Sequence, residues 1–286
     1  MSESVARTFR AVVSYDGTRF SGWQFQPRAV TVQGEIERAI HAVTAATVRI
    51  EGAGRTDQGV HALGQVASFT LSTRLEPERL RLALNFHLPP DVRVHRLDHA
   101  PDGFSARFSA RWRLYWYLLA REQSPFSRDR AHTPRRWPAI APMNEALNFL
   151  LGEWDFRGFT TQPEGPYGCW LTEARWEEHP LGLRLRLRAN RFLYHMVRII
   201  VGTSLEIGIG KRPPPAMGEI LLGRNRSAAG PLAPAGALYL AAVGYLPTWP
   251  EDGGPFESEA VPWAALREPT WRTVDPEAES VDQGAR

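Results

Sequence analysis

The chain reads as an α/β protein of the α+β kind, built from two pseudo-symmetric ferredoxin-like halves with largely antiparallel sheets. Three observations predict this. Hydrophobic periodicity gives the order β-α-β-β-α-β and then the same order a second time, which is the ferredoxin-like arrangement. At 286 residues with 43% hydrophobic content, the chain can hold one large domain or two of ordinary size and fill a core. A single cysteine, Cys169, rules out an intrachain disulfide framework or a thiolate zinc cluster, so packing must hold the fold.

Each element has its own signal. Residues 9 to 15, Phe-Arg-Ala-Val-Val-Ser-Tyr, form a strand stopped by the turn pair Asp16-Gly17. A helix follows, with Thr31 as N-cap, Glu35 in the first turn, and Val32, Ile36, Ala39, Ile40 and Val43 at helical spacing. Short strands are expected near 47–51 and 65–71, a helix near 76–87 and a strand near 91–98. In the second half the pattern predicts a strand at 112–121, a helix at about 142–151 and strands at 170–178 and 183–189. Helical segments over 191–222, the first capped by Asn190, and a last strand at 237–243 complete it. The expected division is an N-terminal half over 1–105, a C-terminal half over 106–246 and a tail over 247–286. Six prolines sit among acids in the tail, a composition that does not fold alone, while Trp249, Trp263 and Trp271 suggest that parts of it pack on the body.

The net charge of +3 conceals an asymmetry, because the tail carries nine acidic and three basic residues and leaves the body at +9. That excess suits a polyanionic partner. Lys211 is the only lysine, so arginine supplies 33 of the 34 basic side chains; bidentate phosphate recognition and a compositional bias of the genome both account for this. No run of about 18 apolar residues occurs and the first ten residues lack a signal-peptide core, so the expectation is a soluble cytoplasmic protein.

The most informative segment is Arg55-Thr56-Asp57-Gln58-Gly59-Val60-His61, with Gly52 and Gly54 ahead of it. Glycines on both sides let the backbone turn sharply and let a ligand approach, which presents Asp57 outward. Asp before such a turn also commonly caps its own loop. Arg55, two residues away, is a candidate for keeping the carboxylate ionised under an apolar substrate. His61 has no metal-ligand spacing around it and is read as structural.

Alternation in 112–121 puts Trp112, Leu114, Trp116 and Leu118 on one face and Arg113, Tyr115, Tyr117 and Arg121 on the other. The second face suits stacking on an unpaired base near phosphates, or is a solvated outer face. Arg184, Arg186 and Arg188 line up opposite Leu183, Leu185 and Leu187, as a phosphate-tracking row or an ordinary solvent face. Arg198 lies among Met196, Val197, Ile199 and Ile200, where an unpaired guanidinium would be costly; its acceptor is Asp57 or Glu206. Arg19, in the turn-rich loop 15–24, and Arg107, in 104–111, are further candidate contacts for nucleic acid.

Five ordered blocks carry a resemblance over residues 9 to 246. They are Tyr15-Asp16-Gly17 with Gly22-Trp23-Gln24; Gly54-Arg55-Thr56-Asp57 with Gly59-Val60-His61-Ala62; Ala106-Arg107-Phe108-Ser109-Ala110 with Tyr115; His195-Met196-Val197-Arg198 with Ile200-Val201-Gly202; and Leu238-Tyr239-Leu240. Together they resemble the tRNA pseudouridine synthase A family. That resemblance implies conversion of uridine to pseudouridine at positions 38, 39 and 40 of the tRNA anticodon stem-loop. It also implies a catalytic cleft between the halves, no cofactor or metal, no DNA or membrane partner, and a homodimer that holds tRNA across both subunits. By motif, Asp57 is the catalytic aspartate, Arg55 and Arg198 its basic partners, Tyr115 the aromatic residue over the target base and Leu238 an apolar contact. Gln58 stands where a small residue is usual and Ala237 where glycine is common.

Two other classes fit parts of the sequence. An RNA-binding protein without activity leaves the Arg55–Asp57 loop unused, and a glycoside or nucleoside hydrolase normally needs a second carboxyl group.

Overall fold

The computed structural model describes residues 6–245; the tail with Trp249, Trp263 and Trp271 lies outside the described residues. In the N-terminal half, strand β1 (Ala6–Tyr15) leads to helix α1 (Val32–Thr44), the two-residue strand β2 (Glu51–Gly52) and the long β3 (His61–Ser72), then helix α2 (Pro77–His87) and β4 (Val92–His99). The second half runs β5 (Trp112–Ala120), α3 (Ile140–Asn148), β6 (Gly152–Asp155), β7 (Gly168–His179), β8 (Gly182–Ala189), α4 (Met196–Gly208), α5 (Ala216–Gly223) and β9 (Leu238–Gly244).

Nine strands share one sheet, ordered β4-β1-β3-β9-β5-β8-β7-β6, with β2 also on β3. With the edge strand β6 set aside, each half shows the same pattern: its last strand, its first, the third and then the second, β4-β1-β3-β2 and β9-β5-β8-β7. The pairing is antiparallel except between β3 and β9, which run parallel at His61↔Tyr239 and Ala62↔Leu240. This short parallel junction fuses the halves. Further along β3 the same edge is taken by β2, at Glu51↔Ser68 and Gly52↔Ala67, so β2 and β9 diverge and a gap opens between them. At the junction Gly64 has to be glycine-sized, because a Cβ there would stand 2.6 Å from the Ala241 carbonyl oxygen.

The helices cover one face and fill a core continuous across both halves, from Ile36, Ile40, Leu80 and Leu84 to Met143, Leu147, Trp176 and Ile200. Thr31 caps α1 as expected, its hydroxyl accepting from the Gly34 N–H at 3.2 Å.

The structure departs from the sequence reading in three places. The strand expected at 47–51 shrinks to Glu51–Gly52, because side chains of α1 take the backbone groups a ladder would use: Glu37 accepts from the Ile50 N–H and Gln33 donates to the Ile50 carbonyl. The helix expected from Asn190 begins only at Met196. Asn190 is occupied elsewhere, accepting the Trp170 N–H through Oδ1 at 2.9 Å. Edge strand β6, whose sequence Gly-Glu-Trp-Asp is too short to show a period, was not expected.

Candidate active site

The gap between β2 and β9 is spanned by the loop 53–60, which carries Asp57. Segment 15–24 clamps this loop. Tyr15 and Thr56 share a buried hydroxyl–hydroxyl bond of 2.8 Å, and the Trp23 N–H donates to the Thr56 carbonyl at 3.1 Å. The turn closes with the Val60 N–H on the Asp57 carbonyl at 3.1 Å, and Gly59 at φ 78° supplies the left-handed residue the turn requires. The second half holds the loop from the other side: the Arg113 guanidinium donates to the Ala53 carbonyl at 2.8 Å and also to the carbonyls of Arg107, Ala110 and Asn190. The Asp57 carboxylate is thus rigidly based and still 21% exposed.

Two cationic or ionisable groups from the start of α4 face it. Arg198 places Nη1 3.4 Å from Asp57 Oδ2, and its Nε donates to the Ala233 carbonyl at 2.7 Å. The alternative acceptor, Glu206, is engaged by Lys211 and by Arg212 at 2.7 Å. His195 places Nε2 3.6 Å from the same Asp57 oxygen. Its backbone sits in the left-handed region at φ 63°, its Nδ1 meets the Thr161 hydroxyl at 2.8 Å, and its ring stacks on Tyr194 at 3.7 Å. Burial lowers the His195 pKa, Arg198 and Arg226 lower it further, and Asp57 opposes them.

Tyr115 comes to the same place from β5. Its hydroxyl lies 4.0 Å from where a Cβ on Gly54 would be, and its ring meets Phe192 edge-on at 5.0 Å. Burial above all, and then the Asp57 charge, push the phenol pKa well above its ordinary value. The expected base-stacking face of β5 therefore reduces to this one ring: Tyr117 is fully buried in the core and Arg113 is spent on carbonyls.

The other candidates are placed as follows. Arg55 is exposed and forms no ion pair among the described residues, so the local partner expected for Asp57 is replaced by Arg198, 141 positions away in the chain. Arg19 is exposed and pairs with Asp91 at 3.2 Å; Arg107 is exposed with its guanidinium over Phe108. Leu238 opens β9 and is 5% exposed within the core. His61 is structural: Nδ1 accepts the Gly17 N–H at 3.0 Å and Nε2 donates to the carbonyls of Asp129 and Gly236. The row Arg184, Arg186 and Arg188 is not an open phosphate track. Arg184 and Arg186 pair with Glu177 and Glu173 at 2.7 Å or less and lie over Trp116, and Arg188 lies over Trp112. A groove of about 460 Å³ opens between Thr18 and Gly59 on one side and Arg128, His132 and Thr133 on the other, and Asp57 is not among the residues that line it.

His195 was not singled out by the sequence reading as a site residue. Nothing local in the sequence signals it: His195 lies just before α4 with a left-handed backbone, and it meets Asp57 only through the fold.

Comparison with known proteins points the same way. The profile of a family described as "tRNA pseudouridine synthase" matches residues 11–109 and 146–246. A tRNA pseudouridine synthase A from Chlorobaculum tepidum is 39% identical over 84% of this chain and 98% of its own. Proteins of the same name from Geobacillus kaustophilus and Bacillus pumilus are 42% and 43% identical, over 84% and 82% of this chain and 95% and 98% of theirs. With the family profile matched over more than half of the chain and these relatives about 40% identical over most of it, the protein belongs to the tRNA pseudouridine synthase family.

Proposed function

We propose that this isomerase of tRNA uridine acts in the anticodon stem-loop, at positions 38, 39 and 40, with Asp57 as its nucleophile or base. The observation that carries the reading is the Asp57 carboxylate, fixed at the mouth of the gap, ion-paired with Arg198 and neighboured by Tyr115. The reaction breaks the bond from C1′ to N1, turns the uracil, joins C1′ to C5 and removes the C5 proton. A paired uridine must first leave its stack, at a cost of a few kcal/mol that contacts to the RNA backbone offset. Arg55, exposed at the edge of the loop, meets that backbone together with Arg19 and Arg107. Tyr115 then packs on the extruded ring, Leu238 supports it from beneath, and Arg198 keeps the carboxylate charged and aimed at the sugar or the uracil. Two such chains hold one tRNA across both subunits, in the cytoplasm, with residues 1–105 supplying the acid and 106–246 its partners.

The hydrolase reading is disfavoured because the charged side chains that meet Asp57 are a guanidinium and an imidazole, whereas a hydrolase of two-carboxylate type needs an acid there. The test is tritium release from C5-labelled uridine in tRNA, with pseudouridine mapped by carbodiimide adduct. Asp57→Asn abolishes release and leaves tRNA binding largely intact. Turnover that persists in this variant removes Asp57 from its role.

A further inference from the structure

The mechanism above leaves one proton without an acceptor. Once C1′ is joined to C5, that carbon still carries its hydrogen, and pseudouridine forms only when the hydrogen leaves as a proton. Acting as nucleophile, Asp57 is committed to the first bond changes. Tyr115 is a poor acceptor, because burial and the neighbouring carboxylate hold its phenol in the protonated form. We propose that His195 is the base that removes the C5 proton, through Nε2. The inference rests on the proposed function and adds a residue to it.

Geometry supports the assignment. His195 Nε2 lies 3.6 Å from Asp57 Oδ2, too far for a hydrogen bond and near enough for both groups to touch one uridine. Nδ1 and the Thr161 hydroxyl share one proton across 2.8 Å, and in the tautomer with Nδ1 as donor, which the proposal requires, Nε2 carries the lone pair. Tyr194 stacks on the ring at 3.7 Å, and the Thr160 hydroxyl donates to the Tyr194 carbonyl at 2.7 Å. The backbone of His195 is left-handed at φ 63°, a conformation uncommon outside glycine and maintained only where the surroundings over-determine it. The groups that face the imidazole are Asp57 from the loop, Arg198 from α4, Arg226 from the turn after α5, Tyr194 and Thr161. Burial and the two guanidiniums keep the ring neutral at pH 7, the form that accepts a proton. After transfer the imidazolium gains an ion pair with Asp57, so one carboxylate serves both stages.

The step balances. In the C5-linked adduct N1=C6 is a double bond. Nε2 takes the hydrogen from C5 as a proton, the C5–H electron pair becomes the C5=C6 bond, the N1=C6 π pair moves to N1, and N1 takes up a proton. Nothing is oxidised and nothing is consumed.

The test uses His195→Asn, since asparagine tolerates the left-handed backbone and lacks the base. Three tRNA transcripts are compared: ordinary, C5-deuterated, and carrying 5-fluorouridine, from which no C5 proton can be removed. For ordinary tRNA, kcat falls about 100-fold or more, the scale of general-base catalysis, while KM stays within about threefold. A primary deuterium effect emerges in the variant, whereas the fluorinated substrate is rearranged at the wild-type rate. In the wild type, kcat rises with pH through an inflection below the ordinary imidazole value of 6.5, and the variant lacks it. His195→Gly regains activity with added imidazole, which covers the case in which the asparagine variant fails to fold. The proposal is overturned by a His195→Asn enzyme with unchanged kcat, or by one equally slowed on ordinary and fluorinated tRNA without a deuterium effect. A wild type that makes no pseudouridine, or an Asp57→Asn enzyme that does, would instead sink the underlying assignment.

Discussion

Thr56 immediately precedes Asp57, and its hydroxyl is joined to that of Tyr15 at 2.8 Å in a buried setting, so this bond sets where the carboxylate starts. Thr56→Val removes the hydroxyl with almost no change of shape and strands the phenol; Tyr15→Phe does the converse. Each single substitution loses about 1 kcal/mol of net hydrogen bonding and leaves a buried group unsatisfied at about 1–3 kcal/mol, so each should destabilise by roughly 2–3 kcal/mol. The double variant strands neither partner. It should therefore be less destabilised than the sum of the singles by about 1 kcal/mol or more, a favourable coupling that a double-mutant cycle isolates. Urea titration of the full-length protein reads stability, and tritium release reads kcat. In Thr56→Val, kcat should drop about tenfold, equivalent to about 1.4 kcal/mol in the barrier, because the loop that carries the acid loosens. Singles that add within about 0.3 kcal/mol, or a Thr56→Val enzyme with full activity, would refute the claim that this bond positions Asp57.

Gly17→Ala tests the same clamp from outside. A Cβ there would stand 2.0 Å from the Val60 carbonyl oxygen, so the turn after β1 and the Asp57 loop must separate, costing about 1–3 kcal/mol; an unchanged Tm would contradict this. Asp16→Asn tests the acid limb of stability. The Thr18 hydroxyl and amide, both donating to Oδ1, hold the Asp16 carboxyl below the usual carboxylate range. A carboxyl depressed in the fold contributes stability that is present above its unfolded value near pH 4 and lost as pH falls below it. The variant should therefore lose about 1–2 kcal/mol at pH 7, where Arg130 at 2.7 Å also loses its ion pair, and show a flatter decline below about pH 4. Parallel stability curves for the two proteins would count against the assignment.

What could be read from the sequence was what depends on neighbours in the chain. Helix α1 is legible because Thr31 and its apolar stripe act within a few residues, and β5 and β8 are legible because alternation reports two faces. Long-range pairing was not legible. Arg55 was the natural partner for Asp57 by proximity in sequence, yet in a sharply turning loop side chains two positions apart need not meet, and the guanidinium that does meet Asp57 comes from α4. The need for an acceptor at Arg198 followed from its apolar neighbours; the choice of Asp57 over Glu206 followed only from how the halves join, since Glu206 is claimed by Lys211 and Arg212. Asn190 misled because a capping residue type does not reveal whether its side chain is already in use across a sheet, as it is with Trp170.

The position of the acid follows from the way β3 is shared. A strand edge offers one row of hydrogen-bonding groups, and here two strands divide it, β9 at residues 61 and 62 and β2 at residues 67 and 68. Between them neither strand pairs with β3 in register, although the Ala53 N–H still donates to the Val66 carbonyl at 2.8 Å, and polar backbone next to a gap has to be satisfied by side chains or by a ligand. Gln65 answers part of this by donating to the Gly54 carbonyl at 2.8 Å, and Arg113 answers the Ala53 carbonyl from the other half. Neither half supplies this cluster alone: the N-terminal half holds Asp57, whose neighbour in the chain, Arg55, is exposed, and the C-terminal half holds His195, Arg198 and Tyr115. Joining the two sheets through only two paired residues leaves room for a nucleotide where a longer ladder would have zipped the gap shut. The shortness of the β3–β9 pairing is therefore what keeps Asp57 both anchored and reachable.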